Sequence, residues 1–185
     1  MMIPAHALAG IACIHLGWMI SRGSKNWLII GVFLAFLSHA VIDALAIFTY
    51  HDGNPSGSIF SQSVFWFWMA GGIAIIYLAL KNDRRYGYGI LSALSYDLWD
   101  HWILRSISCA KNGFPDGCMS VYAYEDLHLH HLEWFILDSV FAGVERHYGD
   151  ESYFIVELIC VCLLLVSIFW LRNTAPLPHQ GDEEE

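Results

Sequence analysis

Residues 59–80 constrain this chain more than any other stretch, because they are 22 consecutive positions without a charge. A hydrocarbon layer of roughly 30 Å is crossed by a helix of about 20 mostly apolar residues. Residues 152–171 repeat the pattern with Glu157 as the sole interruption. Both stretches are apolar on every face, which a helix half in water does not tolerate. The chain as a whole is 56 % hydrophobic with a mean hydropathy of +0.45, above the range of ordinary soluble domains. The expected fold is all-α: a polytopic transmembrane helix bundle of about five spans with one short interfacial or re-entrant helix.

The expected spans are residues 3–21, 27–50, 59–80, 86–108 and 152–171, and residues 132–144 form the segment too short to cross. Residues 1–172 then make a single transmembrane domain, and 173–185 a disordered tail ending in four acids. Residues 1–21 have the length of a signal peptide but lack a basic start and carry His6 and His15, so they read as a retained helix. Arg22, Lys25, Lys81, Arg84, Arg85 and Arg172 fall on one side of this arrangement, which marks that side as cytoplasmic. The N-terminus is then outside and the C-terminus inside. Cys109 and Cys118 bracket a polar loop on the outer side, where they either pair in an oxidising compartment or remain loop thiols. The net charge of −9 and the lack of a basic patch exclude nucleic acid as a partner.

Ionisable groups inside such helices are costly and usually face the bundle interior. His39 and Asp43 are four residues apart and share a helix face. Asp97, Asp100 and His101 stand at i, i+3 and i+4 on another. Small residues lead to both groups, and His6 heads a third stripe through Gly10, Cys13 and Gly17, so three helices can approach closely. At ~1.5 Å per residue from the cytoplasmic ends, His39 and Asp97 lie ~18 and ~16 Å deep, and Asp43 and His101 ~24 and ~22 Å. Mixed imidazole and carboxylate donors suit a divalent metal, zinc foremost, with manganese or iron as alternatives. The expected ligands are His39, Asp43, Asp97 and His101, completed by His6, with Asp100 as general base. His128, His130 and His131 sit on the outer connection as a lid or as support for the ligands. The competing reading is polar packing, with His and Asp bonded across helices and no metal.

The same residues carry a resemblance. Pro4-Ala-His6-Ala-Leu-Ala-Gly10 is similar to the Thr-His-x-x-x-Gly opening of the small bacterial and archaeal membrane-bound metal-dependent hydrolases, among them the LexA-binding, inner-membrane-associated hydrolases. Ser95-Tyr-Asp97-Leu-Trp-Asp100-His101 resembles that family's Pro-Asp-x-Asp-His, without the proline and with the aspartates one residue further apart. His39-Ala-Val-Ile-Asp43 resembles its His-x-x-x-Asp motif, here placed before the aspartate pair. His128-Leu-His-His131 stands in place of a His-Arg-Gly-x-Thr-His-Ser. The resemblance implies a metal-dependent hydrolase of a prokaryotic inner membrane, using His6, His39, Asp43, Asp97, Asp100 and His101.

The leading expectation is therefore a membrane-embedded hydrolase acting near the outer leaflet on an amphipathic, lipid-like substrate. The alternatives are a metal-ion or proton carrier using the same cluster, and a structural membrane subunit. The lipid bilayer is the expected partner, and a homo-oligomer stays open. No Gly-x-Ser-x-Gly elbow points to a serine hydrolase.

Overall fold

The computed structural model describes residues 3–21, 24–50, 57–111, 113, 129–145, 147 and 150–178. The helices are α1 (Ile3–Ser21), α2 (Trp27–Leu45), α3 (Ile59–Asn82), α4 (Tyr86–Ala93), the short α5 (Ser95–Asp97), a π-helical segment (Leu98–Leu104), α6 (Arg105–Lys111), α7 (His131–Val140) and α8 (Phe154–Thr174). No strand occurs among the described residues. Among the described residues, four elements are long and apolar enough to cross a membrane: α1, α2 extended by a 3-10 turn to Phe48, α3, and α8 with its leading turn from Glu151.

The all-round apolar character of α1 is explained by its place at the centre. Thirteen of its nineteen residues are buried, and α2, α3, α4 and α8 all pack against it. Small side chains make this possible. A Cβ at Gly10 would lie 2.5 Å from the Gly89 oxygen, and one at Gly17 would lie 2.5 Å from the Gly31 nitrogen. The backbone of α1 therefore touches those of α4 and α2 directly, and dispersion along these seams holds the bundle. The outer helices turn large apolar groups away from this core, with Trp66, Phe67 and Ile73 exposed on α3 and Leu163, Val166 and Trp170 exposed on α8.

The fourth expected span is helical from Tyr86 to Lys111 but is not one α-helix. It breaks at Leu94 and widens into the π-helical segment. Two serines stand at the break: Ser92 Oγ donates across to the Val32 carbonyl of α2 at 2.8 Å, and Ser95 Oγ competes for the Ser92 carbonyl of its own helix at 2.7 Å. This is the one expected span that does not form a continuous helix of membrane length.

The ten residues of α7 make a rod about 15 Å long, too short to cross. It lies against the end of α2, where Ile136 and Phe141 pack on Ala44, Ile47 and Phe48. Cys109 is disulfide-bonded, while its expected partner Cys118 lies outside the described residues, as do His128 and the acidic residues 182–185. Ala175 does not begin a free tail. Its carbonyl accepts a 2.9 Å bond from His15 Nδ1, and His15 Nε2 in turn accepts the Tyr86 hydroxyl at 2.8 Å.

Candidate metal centre

His39 is placed by its ring faces before its nitrogens act. The His6 ring stacks on one face at 4.1 Å and the Tyr96 ring on the other at 4.4 Å, both nearly parallel to it. His39 Nδ1 then meets the Ala93 carbonyl at 2.6 Å, at the break that follows α4. A carbonyl only accepts, so Nδ1 carries the proton and Nε2 holds the lone pair. That lone pair lies 2.9 Å from Asp43 Oδ2, one turn further along α2. Although it is buried, Nε2 makes no aligned hydrogen bond there. Two acceptors this close in a buried site need a positive charge between or beside them, whether a proton or a metal ion.

A second imidazole is oriented in the same way. Asp100 is 1 % exposed, and its Oδ2 accepts three bonds from the connection before α7. These come from the Leu129 amide at 2.9 Å, the His130 amide at 3.0 Å and His130 Nδ1 at 2.7 Å. His130 Nε2 is thereby turned to the carboxylates, 3.6 Å from Asp97 Oδ1 and 3.9 Å from Asp43 Oδ2. Burial lowers the pKa of His130, but its contacts with Asp97, Asp100 and Asp43 outweigh this and raise it to about 9. Without a metal ion, His130 therefore holds a second proton at neutral pH.

His39, Asp43, Asp97 and His130 offer four ligand atoms that all lie within 4.8 Å of one another, and this group could hold a metal ion. Ligands about 2.0–2.1 Å from a zinc ion stand about 3.3 Å apart in a tetrahedron. The contacts between imidazole and carboxylate run from 2.9 to 3.9 Å and straddle that spacing. With both imidazoles neutral, two carboxylates and two lone pairs form an acceptor-only set of net charge −2, which a divalent ion neutralises in place of the His130 proton. The donors therefore fit a metal. The supporting bonds are also those usual around metal-binding histidines, with one Nδ1 on a carbonyl and the other on a carboxylate.

Three of the expected ligands, His39, Asp43 and Asp97, are in this group. His130 takes the fourth place, where the i, i+4 spacing from Asp97 pointed to His101. His101 Nε2 lies 3.8 Å from Asp97 Oδ1, while its Nδ1 faces Arg105 Nη2 at 3.4 Å. A guanidinium only donates, so Nδ1 is the acceptor in this long contact, and His101 lies outside the group of four. Asp100 supports His130, and its oxygen is occupied by three donors, unlike an open general base. His6 stands beside the group, with Nε2 3.0 Å from Asp43 Oδ1. His131 is exposed at the start of α7. The signal for His130 was its place in a histidine-rich connection, but no spacing rule linked it to α2. Asp97 is the most open of the four ligands, with about a third of its side chain exposed.

Set against known protein families, curated proteins and solved structures, the chain finds no match in any of the three.

Proposed function

We propose that this chain spans a membrane and hydrolyses an amphipathic, lipid-like ester with a divalent metal, zinc foremost, held by His39, Asp43, Asp97 and His130. The observation that carries the reading is the paired tautomers: His39 and His130 both have Nδ1 committed to an acceptor and Nε2 aimed at the same two carboxylates. A second proton on His130 would hold the same contacts by polar packing, so metal content is what separates the two readings.

In this reading α1, α2, α3 and α8 cross the bilayer, and the interrupted run from α4 to α6 is a fifth crossing. The outward apolar faces of α3 and α8 meet lipid. Lys25, Lys81, Arg84, Arg85 and Arg172 gather at the end away from the metal centre, so that end is cytoplasmic. Bonded Cys109 lies at the other end, in keeping with an oxidising outer side.

A bound divalent ion supplies a polarised ester oxygen and a water acidic enough to attack at neutral pH. The protein does the rest. Asp100 fixes His130, and the His6 and Tyr96 rings clamp His39. Asp97 and His101 border the open edge, and Arg105 stands beside His101 with a positive charge, which favours a phosphoester. Trp99 and Trp102 are exposed on the same π-helical segment, positioned to hold an acyl chain.

The test is metal content of detergent-purified protein, followed by hydrolysis of micellar phosphoester and carboxylic-ester lipids. About one equivalent of metal together with metal-dependent turnover supports the proposal. A chain purified without chelators that holds no metal defeats it. Metal without turnover, but with metal flux into liposomes, would transfer the same residues to a carrier.

A further inference from the structure

The end of the bundle opposite the metal centre holds a cavity of about 380 Å³. It lies at the level of His15, nine residues and about 13 Å along α1 from His6. It is lined by His15 and Tyr86, by Asn82, Asp83, Arg85 and Arg172, and by residues 176–178.

The hydrogen bonds fix the charge of this cavity. His15 Nδ1–H donates to the Ala175 carbonyl and Nε2 shares a bond with the Tyr86 hydroxyl, so a neutral ring satisfies both nitrogens. Arg85 is joined to Asp83 through Nη2 at 2.7 Å and Nε at 3.0 Å, so these two charges cancel. Arg172 is exposed, and its Nη2 donates a 3.3 Å bond to the neutral Asn82 Oδ1; among the described residues no acid bonds it. Among the described residues the lining therefore carries one net positive charge, on the Arg172 guanidinium. Lys25, Lys81 and Arg84 stand around the same end and raise the local potential, although the chain as a whole is acidic.

From this we infer that the cavity is a binding site for a phosphate group, held by Arg172 with Asn82 beside it. A guanidinium presents paired N–H donors that match two phosphate oxygens, and the volume admits a headgroup-sized ligand. The covering segment is itself tied down, because Arg85 Nη2 donates to the Pro178 carbonyl at 2.8 Å. The ligand thus enters beside a fixed strap. The inference does not depend on the hydrolase proposal, since no metal ligand lines the cavity.

Native mass spectrometry of the full chain in detergent tests it. Wild type, Arg172→Gln and Asn82→Ala are titrated separately with inorganic phosphate and with a short-chain phosphatidic acid, and diacylglycerol serves as the phosphate-free control. Wild type is expected to bind at least one phosphate probe saturably and diacylglycerol not at all. Arg172→Gln is expected to weaken that binding about tenfold or more. Binding of phosphatidic acid alone marks a lipid headgroup as the source, and binding of both marks the phosphate itself. Failure of both probes on wild type, or equal binding by wild type and both variants, overturns the inference. Circular dichroism and thermal unfolding equal to wild type confirm that the variants are folded.

Discussion

Asp100 and His130 are thirty residues apart in sequence and 2.7 Å apart in space, and their contact decides which nitrogen of His130 faces the metal centre. The same carboxylate oxygen also takes the Leu129 and His130 amides. One buried acid thus anchors both the ring and the backbone of the connection that delivers it.

Asp100→Asn is expected to lower metal affinity about 10- to 100-fold without abolishing binding, the usual effect of removing a carboxylate behind a ligating histidine. Competition titration with a chromogenic chelator measures this. An affinity equal to wild type would show that His130 needs no such support.

His130→Ala and Asp97→Ala should each lose the metal, whereas His101→Ala should retain it. Elemental analysis of the three purified variants separates the tertiary arrangement from the helical spacing. Loss in His101→Ala with retention in His130→Ala would reverse the assignment made here.

Metal uptake at neutral pH should displace about one proton from His130, because its pKa is raised to about 9 in the metal-free protein. Affinity should climb as pH rises from neutral to about 9 and then level off. The metal-free protein responds in the opposite sense. A folded pKa above the ordinary 6.5 contributes stability that is complete below about 6.5 and lost as pH rises through 9. Melting curves of metal-free wild type minus those of His130→Ala isolate this contribution; a difference that grows with pH would contradict it.

Gly10→Ala should cost about 1–3 kcal/mol, because the new methyl meets backbone atoms of α4 that cannot swing aside. Gly71→Ala is the control, since its methyl would find only Pro4 at 3.8 Å. Thermal unfolding in detergent compares them, and equal midpoints would mean that α1 and α4 have room to separate. Metal affinity should fall with Gly10→Ala as well, because α1 carries His6 and α4 supplies the Ala93 carbonyl that orients His39.

The element types and most of the helix bounds were legible from hydropathy alone, because an uncharged run of 22 residues has few ways to fold. The pairing of His39 with Asp43 was also legible, since one helical turn puts i and i+4 on one face. The same rule put Asp97 beside His101, with 3.8 Å between Oδ1 and Nε2, but it did not bring in His130. It assumes a regular α-helix, and this helix breaks at Leu94 and widens over Leu98–Leu104. That irregularity brings Asp100 to the buried side, holds His101 against Arg105 and presents the Ala93 carbonyl to His39.

His130 could be located only in three dimensions. No periodicity relates a residue on a polar connection to helices thirty and ninety residues earlier, so its role depends on how the connection packs. By itself the sequence determined an all-helical, membrane-length chain and the inventory of His and Asp side chains, because helix formation and burial follow local pattern. Tertiary structure decided which of those side chains meet and which nitrogen each presents. Those outcomes depend on single hydrogen bonds between distant segments, from Ala93 to His39 and from Asp100 to His130.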